Sequence, residues 1–188
     1  AEEFLLESRI DNLWKDFFTN THGESIDWVT SYVGNILLES NQSLLEKLEP
    51  IALKIADRQN SSGGWGYNGK IVPDTDSTSC SIRFLAHYSE MFEKEIDKGI
   101  EFLLTHQKEN GGFSTYNETD IRQYYKINRD MSVEGWCQEL PEITASAVMA
   151  LRRSKRELSE EIEKGKEFLI QYFKSHSDWN SYWWNGDY

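Results

Sequence analysis

Apolar residues recur at i, i+3, i+4 and i+7 through most of this 188-residue chain, as in the set Ile96, Ile100, Leu103 and Leu104 or the pair Val148 and Leu151. That period is helical, and it predicts helices over residues 2–19, 25–40, 43–59, 76–91, 93–107, 140–154 and 157–174. Short polar turns alternate with longer glycine-rich connections. The unit is therefore a helix, a Gly-Gly-aromatic loop and a second helix, an αα-hairpin.

The hairpin repeats. Gln59, Gly63, Gly64 and Trp65 return 48 residues later as Gln107, Gly111, Gly112 and Phe113. A shift of 66 carries Lys98-Gly-Ile-Glu-Phe-Leu-Leu104 onto Lys164-Gly-Lys-Glu-Phe-Leu-Ile170 and Phe113 onto Trp179. Thr30, Thr78 and Thr144 fall into register under the same two shifts, and agreement of independent landmarks is the signature of a repeat architecture. The second helix of each unit opens alike, with Val29-Thr30-Ser31, Ser77-Thr78-Ser79 and Ile143-Thr144-Ala145. Small residues there allow close helix approach, which makes these the inner layer, with the Lys-Gly-x-Glu-Phe-Leu helices outside. Hairpins stacked in this way curve into a solenoid or close into a toroid. The expected fold is all-α, one domain over residues 1–188 forming a partial α/α toroid.

Two irregularities stand out. Phe113 and Thr144 are 31 residues apart, against 13 between Trp65 and Thr78, so residues 114–140 hold an insertion carrying Tyr116, Tyr124, Tyr125 and Trp136. Loops of that length are functional or mobile; a partly helical flap over the inner-helix N-termini and a plain surface excursion are the two readings. After Trp179 the next inner helix is missing, so the repeat reads as truncated. Its uncovered edges, near residues 1–19 and 157–188, predict self-association or cover by the remainder of a toroid.

The net charge of −12, from 32 acidic and 20 basic residues, argues against a nucleic-acid partner. Two cysteines, Cys80 and Cys137, have no metal-ligand spacing and fit buried thiols in a reducing, cytoplasmic setting. No apolar run is long enough for a transmembrane helix. Aromatic residues make up 13% of the chain, with 7 Trp, 9 Tyr and 9 Phe. Rings at that density fill a core between helices or line a ligand cavity. Arg152, Arg153, Lys155 and Arg156 close an inner helix, where cations suit the dipole; they read as caps before a diphosphate site.

The Gln-x-x-x-Gly-Gly-(Trp/Phe) loops, their spacing and the inner-helix starts resemble the prenyltransferase and squalene-cyclase repeat superfamily, over about residues 25–188. Trp179 is a degraded third copy, with Ser177-Asp178 in place of glycines. The stretch Asp74-Thr75-Asp76-Ser77 is similar to the Asp-x-Asp-Asp motif of class II terpene cyclases, departing from it at Ser77. The resemblance implies an α/α toroid in which Asp76 is the acid that protonates an alkene or epoxide of an isoprenoid, with Asp74 as its partner. It implies no cofactor, save Mg²⁺ where the substrate carries a diphosphate. Zinc-binding prenyltransferase subunits pair an Asp with a Cys two residues on and a distant His; Asp76 and Cys80 are four apart and no inner-helix His is suitably placed, so no metal site is expected. The Cys-Gly-Glu-Gln of thioester domains is absent at Cys137-Gln-Glu-Leu140.

The residues themselves leave two readings of the acids. A neutral acid needs burial or a neighbouring carboxylate, whereas a helix N-terminus stabilises the anion, so Asp76 also reads as an N-cap to Thr78 or Ser79. The repeat shifts place Trp28 and Glu142 at its equivalent positions. A cation-tolerant pocket would be lined by Trp28, Tyr32, Tyr67, Phe84 and Trp136. A non-catalytic repeat domain serving as a binding scaffold is the alternative function. It separates from the enzyme on whether the two aspartates line an aromatic cavity or sit exposed as caps.

Overall fold

The computed structural model describes residues 2–176 together with Ser181 and Trp183; Trp179 lies outside the described residues. Three inner helices, α2 (Asp27–Ser40), α4 (Thr75–Leu85) and α8 (Pro141–Arg153), lie side by side with α4 in the middle. Each is followed by an outer helix: α3 (Leu45–Asp57), α5 (Glu93–Leu104) and α9 (Ser159–Ser175). Single 3₁₀ turns over Gln42–Leu44 and Ala86–Tyr88 join the first two pairs. The predicted helices from residue 25 onward are all present, with ends within three residues of expectation except for the helix expected over 76–91, which ends at Leu85 and passes into the 3₁₀ turn Ala86–Tyr88. The fold is a partial α/α toroid.

The physical content of the repeat is now explicit. Gly63 and Gly111 have φ of +92° and +87°, a region open to glycine at little cost. A Cβ on Gly63 would stand 2.5 Å from the carbonyl oxygen of Lys98, and one on Gly111 would collide with that of Lys164. The second glycine of each loop takes the ring of the next outer helix, Phe102 on Gly64 and Phe168 on Gly112. Gln59 and Gln107 complete the joint: each donates to its own loop carbonyl, Gly63 or Gly111, and to the first turn of the next outer helix, at Glu95 O (2.7 Å) and Glu161 O (2.8 Å). The 48-residue loop repeat and the 66-residue Lys-Gly-x-Glu-Phe-Leu repeat are thus two halves of one contact.

Inside the joint, Trp65 and Phe113 are fully buried, and their backbone N–H groups donate to Thr78 and Thr144 Oγ1 at 2.9 and 2.8 Å. The same bond forms from Trp14 N to Thr30 Oγ1 (3.1 Å), and the Trp14 indole donates to Leu5 O as that of Trp65 donates to Ile55 O, each at 2.7 Å. Trp14 is therefore the loop aromatic of a further, degenerate repeat.

This corrects the predicted helix over 2–19. Helix α1 (Glu2–Glu7) is its outer helix and stops there. Asp11 and Asn12 take φ of 54° and 61°, which short polar side chains tolerate, and turn the chain so that Trp14 reaches Thr30. A short antiparallel hairpin follows, β1 (Asp16–Thr19) with β2 (Gly23–Ser25). Holding Trp14 by indole, N–H and carbonyl outweighs a weak local helical period.

The insertion contains α6 (Glu118–Tyr125) and α7 (Glu134–Cys137). It is pinned by the buried Ile121, by Tyr124 Oη donating to Lys70 O (2.8 Å) and by Tyr125 Oη against His22 Nε2 (2.7 Å). This segment thus rests on the β1–β2 turn and the loop before α4. Among the described residues no helix is long and apolar enough to cross a membrane.

Gly111→Ala should lower stability by about 2–4 kcal/mol, combining left-handed strain with a backbone clash. Chemical denaturation checks this, and a midpoint equal to that of the parent would show that the joint relaxes freely.

Candidate active site

Asp74 and Asp76 divide two tasks that the sequence left to one residue. Asp74 is the N-cap of α4: its Oδ1 accepts from Ser77 N (2.7 Å) and its Oδ2 from Ser77 Oγ (2.8 Å). Thr75 between them is locked to the next loop, Oγ1 donating to Ser114 O (2.6 Å) and N–H to Thr115 O (3.1 Å). Asp76 is therefore free of the cap, and the expected bonds from Thr78 or Ser79 amides do not form. It shares a cavity wall with Ser146 on α8 and keeps part of its surface exposed.

One cavity, of about 370 Å³, has Asp74, Asp76 and Glu142 on its wall among Phe17, Trp28, Tyr67, Tyr116 and Trp183. A second cavity of about 520 Å³ shares Phe17, Trp28 and Asp76 and continues along Tyr32, Cys80, Ser146 and Arg83. Trp28, Asp76 and Glu142, equivalent under the repeat shifts, come together at one level because each occupies the first turn of an inner helix. Trp28 stacks on Phe17 (5.5 Å, 28°) and meets Tyr32 edge-on (6.4 Å, 62°). Trp183 closes one side, its Nε1 donating to Thr115 Oγ1 (2.9 Å), and Ser181 Oγ donates to Glu142 Oε1 (2.9 Å).

Of the five expected lining residues, Trp28, Tyr32 and Tyr67 lie on these walls. Phe84 does not. It is 0% exposed, and a Cβ on Gly34 would lie 2.6 Å from its ring, so it fills the seam where α2 and α4 meet most closely. Trp136 also stays off the wall: its ring rests on Tyr125 (5.8 Å) and its carbonyl accepts from Tyr116 N (3.1 Å). It positions Tyr116, whose ring together with Thr115 does reach the cavity. Phe17 and Tyr116 were missed because one was assigned to a helix and the other carries no motif. Cys80 is buried on the second cavity's wall, and Cys137 is half-buried. Among the described residues no group of three His, Cys, Asp or Glu side chains is arranged to hold a metal ion.

Burial dominates the electrostatics. Asp74, 5% exposed, is pushed up to about 7, first by loss of water, then held back by the Ser77 N–H and raised again by the charges of Asp76 and Asp27. Asp76 is also raised, first by burial and then by Glu142, against the nearby Ser146 hydroxyl and the charge of Arg83. The helix N-terminus, which favours the anion, is overcome by desolvation and by crowding of acids. The Tyr116 phenol is held well above its ordinary range by burial and by Asp74.

The fold is terpene-cyclase-like, of the class II type, as comparison with known proteins shows. No protein-family model matches it. It is 32% identical over 103 residues to squalene-tetrahymanol cyclase THC1 of Tetrahymena thermophila, a match spanning 52% of this chain and 16% of that protein. A solved protein from Actinoplanes superposes with a TM-score of 0.81 at 26% identity, over 97% of this chain and 53% of its own. The type II terpene cyclase MstE from Scytonema, in a variant solved with its substrate geranylgeranyl dihydroxybenzoate, superposes at 0.79 and 26% identity, over 97% and 52%. The chain thus spans about half the length of these solved structures.

Because the folded-state value of Asp74 lies above its unfolded one, the native state binds more protons between about pH 4 and about pH 7. Its stabilising contribution is complete below that window and is lost as pH rises through it. Asp74→Asn, which keeps an N-cap, should therefore raise stability by at least about 1 kcal/mol at pH 8 and little at pH 4. Urea denaturation at both values tests this; an equal effect at each would show that Asp74 is ionised throughout.

Proposed function

We propose that the chain carries the acid-bearing part of a class II terpene-cyclase-like site, with Asp76 as general acid and Asp74 as its partner. The observation that supports this most is the division of labour at α4: Asp74 takes the cap, and Asp76 is left on the wall of a cavity rich in aromatic rings. An exposed pair of caps would have favoured a scaffold.

In this reading the protonated Asp76 carboxyl transfers its proton to a terminal alkene carbon or an epoxide oxygen of an isoprenoid chain. The alkene's π pair forms the new C–H bond, or the epoxide oxygen takes the proton on a lone pair and keeps the electrons of the breaking C–O bond as a hydroxyl. The tertiary cation left in either case is attacked by the π pair of the next alkene to close a ring. A later carbon–hydrogen bond gives up its proton to end the sequence. Burial and the neighbouring Glu142 push the Asp76 carboxyl toward its protonated form, and the Asp74 carboxyl beside it is raised in turn by Asp76. Trp28, Phe17, Tyr67 and Tyr116 offer ring faces, each worth about 0.5–2 kcal/mol to a desolvated cation, without a nucleophile strong enough to trap it. The proton comes from the protein, so this step calls for no metal; Mg²⁺ would enter only with a diphosphate substrate.

Incubation with squalene, farnesyl diphosphate and geranylgeranyl diphosphate is the test. Asp76→Asn should lower formation of any cyclic product by about 10²–10⁴-fold. Cyclic product undiminished in that variant would remove the acid assignment, and no product from any substrate would favour the scaffold.

The same reading assigns the exposed apolar side chains at the two edges, Phe4 on α1 and Ile170 on α9, to contact with further protein completing the toroid. Sedimentation of the isolated chain should show association that rises with concentration. A monomer at all concentrations would argue against self-association.

A further inference from the structure

Five residues other than glycine take positive φ among the described residues. Asp11 and Asn12 are short polar residues in a turn, and Lys126 and Lys155 follow the ends of α6 and α8, where the chain leaves a helix. Phe17 has neither reason. It takes φ of 47° inside β1, a region that costs any side chain with a Cβ and that a bulky one rarely enters.

The strand register shows what this conformation achieves. Asp16 pairs with Ser25 and Thr19 with Gly23, so Phe17 and Phe18 together stand opposite Glu24 alone, a β-bulge. The extra residue of a bulge adds nothing to the ladder, but it re-aims the side chains beside it. Phe18 is left 69% exposed, whereas the ring of Phe17 is laid on Trp28. That stacked pair stands where the two cavities meet, because Phe17, Trp28 and Asp76 are the residues on both walls.

The ring is also held there. Asn68 Nδ2 donates to His22 O and Glu24 O, each at 2.9 Å, and Ile26 N donates to Tyr67 O (2.9 Å), so the loop before α4 clamps the turn and the strand β2 that face Phe17. A costly backbone conformation that its surroundings enforce at a cavity wall points to a task for the side chain.

Resting on the cyclase reading of the cavity, we propose that Phe17 is a specificity-determining residue whose ring, backed by Trp28, partitions the space beside Asp76 and limits the length of isoprenoid chain that folds there. With the partition in place, a chain fills one compartment or the other. Without it the compartments join past the acid, and a longer chain gains apolar contact on the second wall, at Val29, Tyr32 and Val33.

Binding of farnesol and geranylgeraniol to the 188-residue chain, followed by calorimetry, tests this without requiring turnover. Phe17→Ala should shift the ratio of the two affinities toward geranylgeraniol by about tenfold, because an isoprene unit brings several carbons into an apolar pocket. Phe17→Gly removes the ring and also relieves the backbone, so it should keep a denaturation midpoint close to the parent's and give the same shift. Phe17→Trp, which keeps a ring at the partition, and Phe18→Ala, which alters the outward neighbour, should both leave the ratio within about twofold of the parent's. An unchanged ratio in both ringless variants overturns the partition and leaves the cavity reading standing. An equal shift from Phe18→Ala also overturns it, since the whole hairpin would then be responsible. Failure of the parent to bind either alcohol overturns it together with the cavity reading.

Discussion

A single hydroxyl, at the fourth residue of each inner helix, holds the rest of the structure in place. Thr30, Thr78 and Thr144 are all fully buried, and each accepts from the backbone N–H of the aromatic residue ending the preceding loop. Thr30 and Thr78 also donate to that residue's carbonyl oxygen, while Thr144 donates to Leu140 O. A buried backbone N–H without a partner costs about 1–3 kcal/mol, so the loop has one low-energy seat. Once it is seated, the glycines face the next outer helix and the inner-helix N-termini stand level. The cavity is a consequence of that levelling, because it gathers the first turns of three helices at one height.

Placing acids at that height sets two physical tendencies against each other. Helix N-termini favour carboxylates, whereas the aromatic enclosure and mutual repulsion favour carboxylic acids. The chain resolves the conflict by giving the dipole one carboxyl group and the cavity the other. Asp74 accepts both a backbone and a side-chain hydrogen bond from Ser77, where the family motif has a third aspartate. A serine there supplies a donor and removes a charge. It satisfies the cap without adding a third negative group on the same helix turn, and Glu142 from α8 supplies the repulsion from another direction.

Much of this was legible in the repeat arithmetic. The two shifts that aligned the threonines also aligned Trp28, Asp76 and Glu142, and the structure turns that alignment into adjacency on one wall. The Lys-Gly-x-Glu-Phe-Leu match was legible as a pattern, while its cause, a carbonyl packed against a left-handed glycine, needed coordinates. The misreadings have a common origin. Residues 8–19 show helical spacing, yet the chain there serves Trp14, whose loop lacks glycines and so carries no motif. Phe84 sits one position after the lumenal Arg83, and a turn of about 100° per residue is enough to carry it into the α2–α4 seam. Assigning the cap to Asp74 and not Asp76 hinged on a backbone offset of two residues, within the ordinary uncertainty of helix ends.

The stripe spacing that misled for Phe84 is informative for the whole lumen. With inner helices running the same way, residues at 3–4 spacing make rows, and each row meets its counterparts on the neighbouring helices. The first row holds Trp28, Asp76 and Glu142, the next Tyr32, Cys80 and Ser146, and the one after it Asn35, Arg83 and Met149. The wall thus gathers its carboxyl groups at the helix N-termini and carries the Arg83 guanidinium two rows on, where Glu39 answers it at 3.3 Å. The cation is met within the wall itself, which leaves Asp76, on the row it shares with Glu142, as the carboxyl group that faces the cavity without a cap to hold.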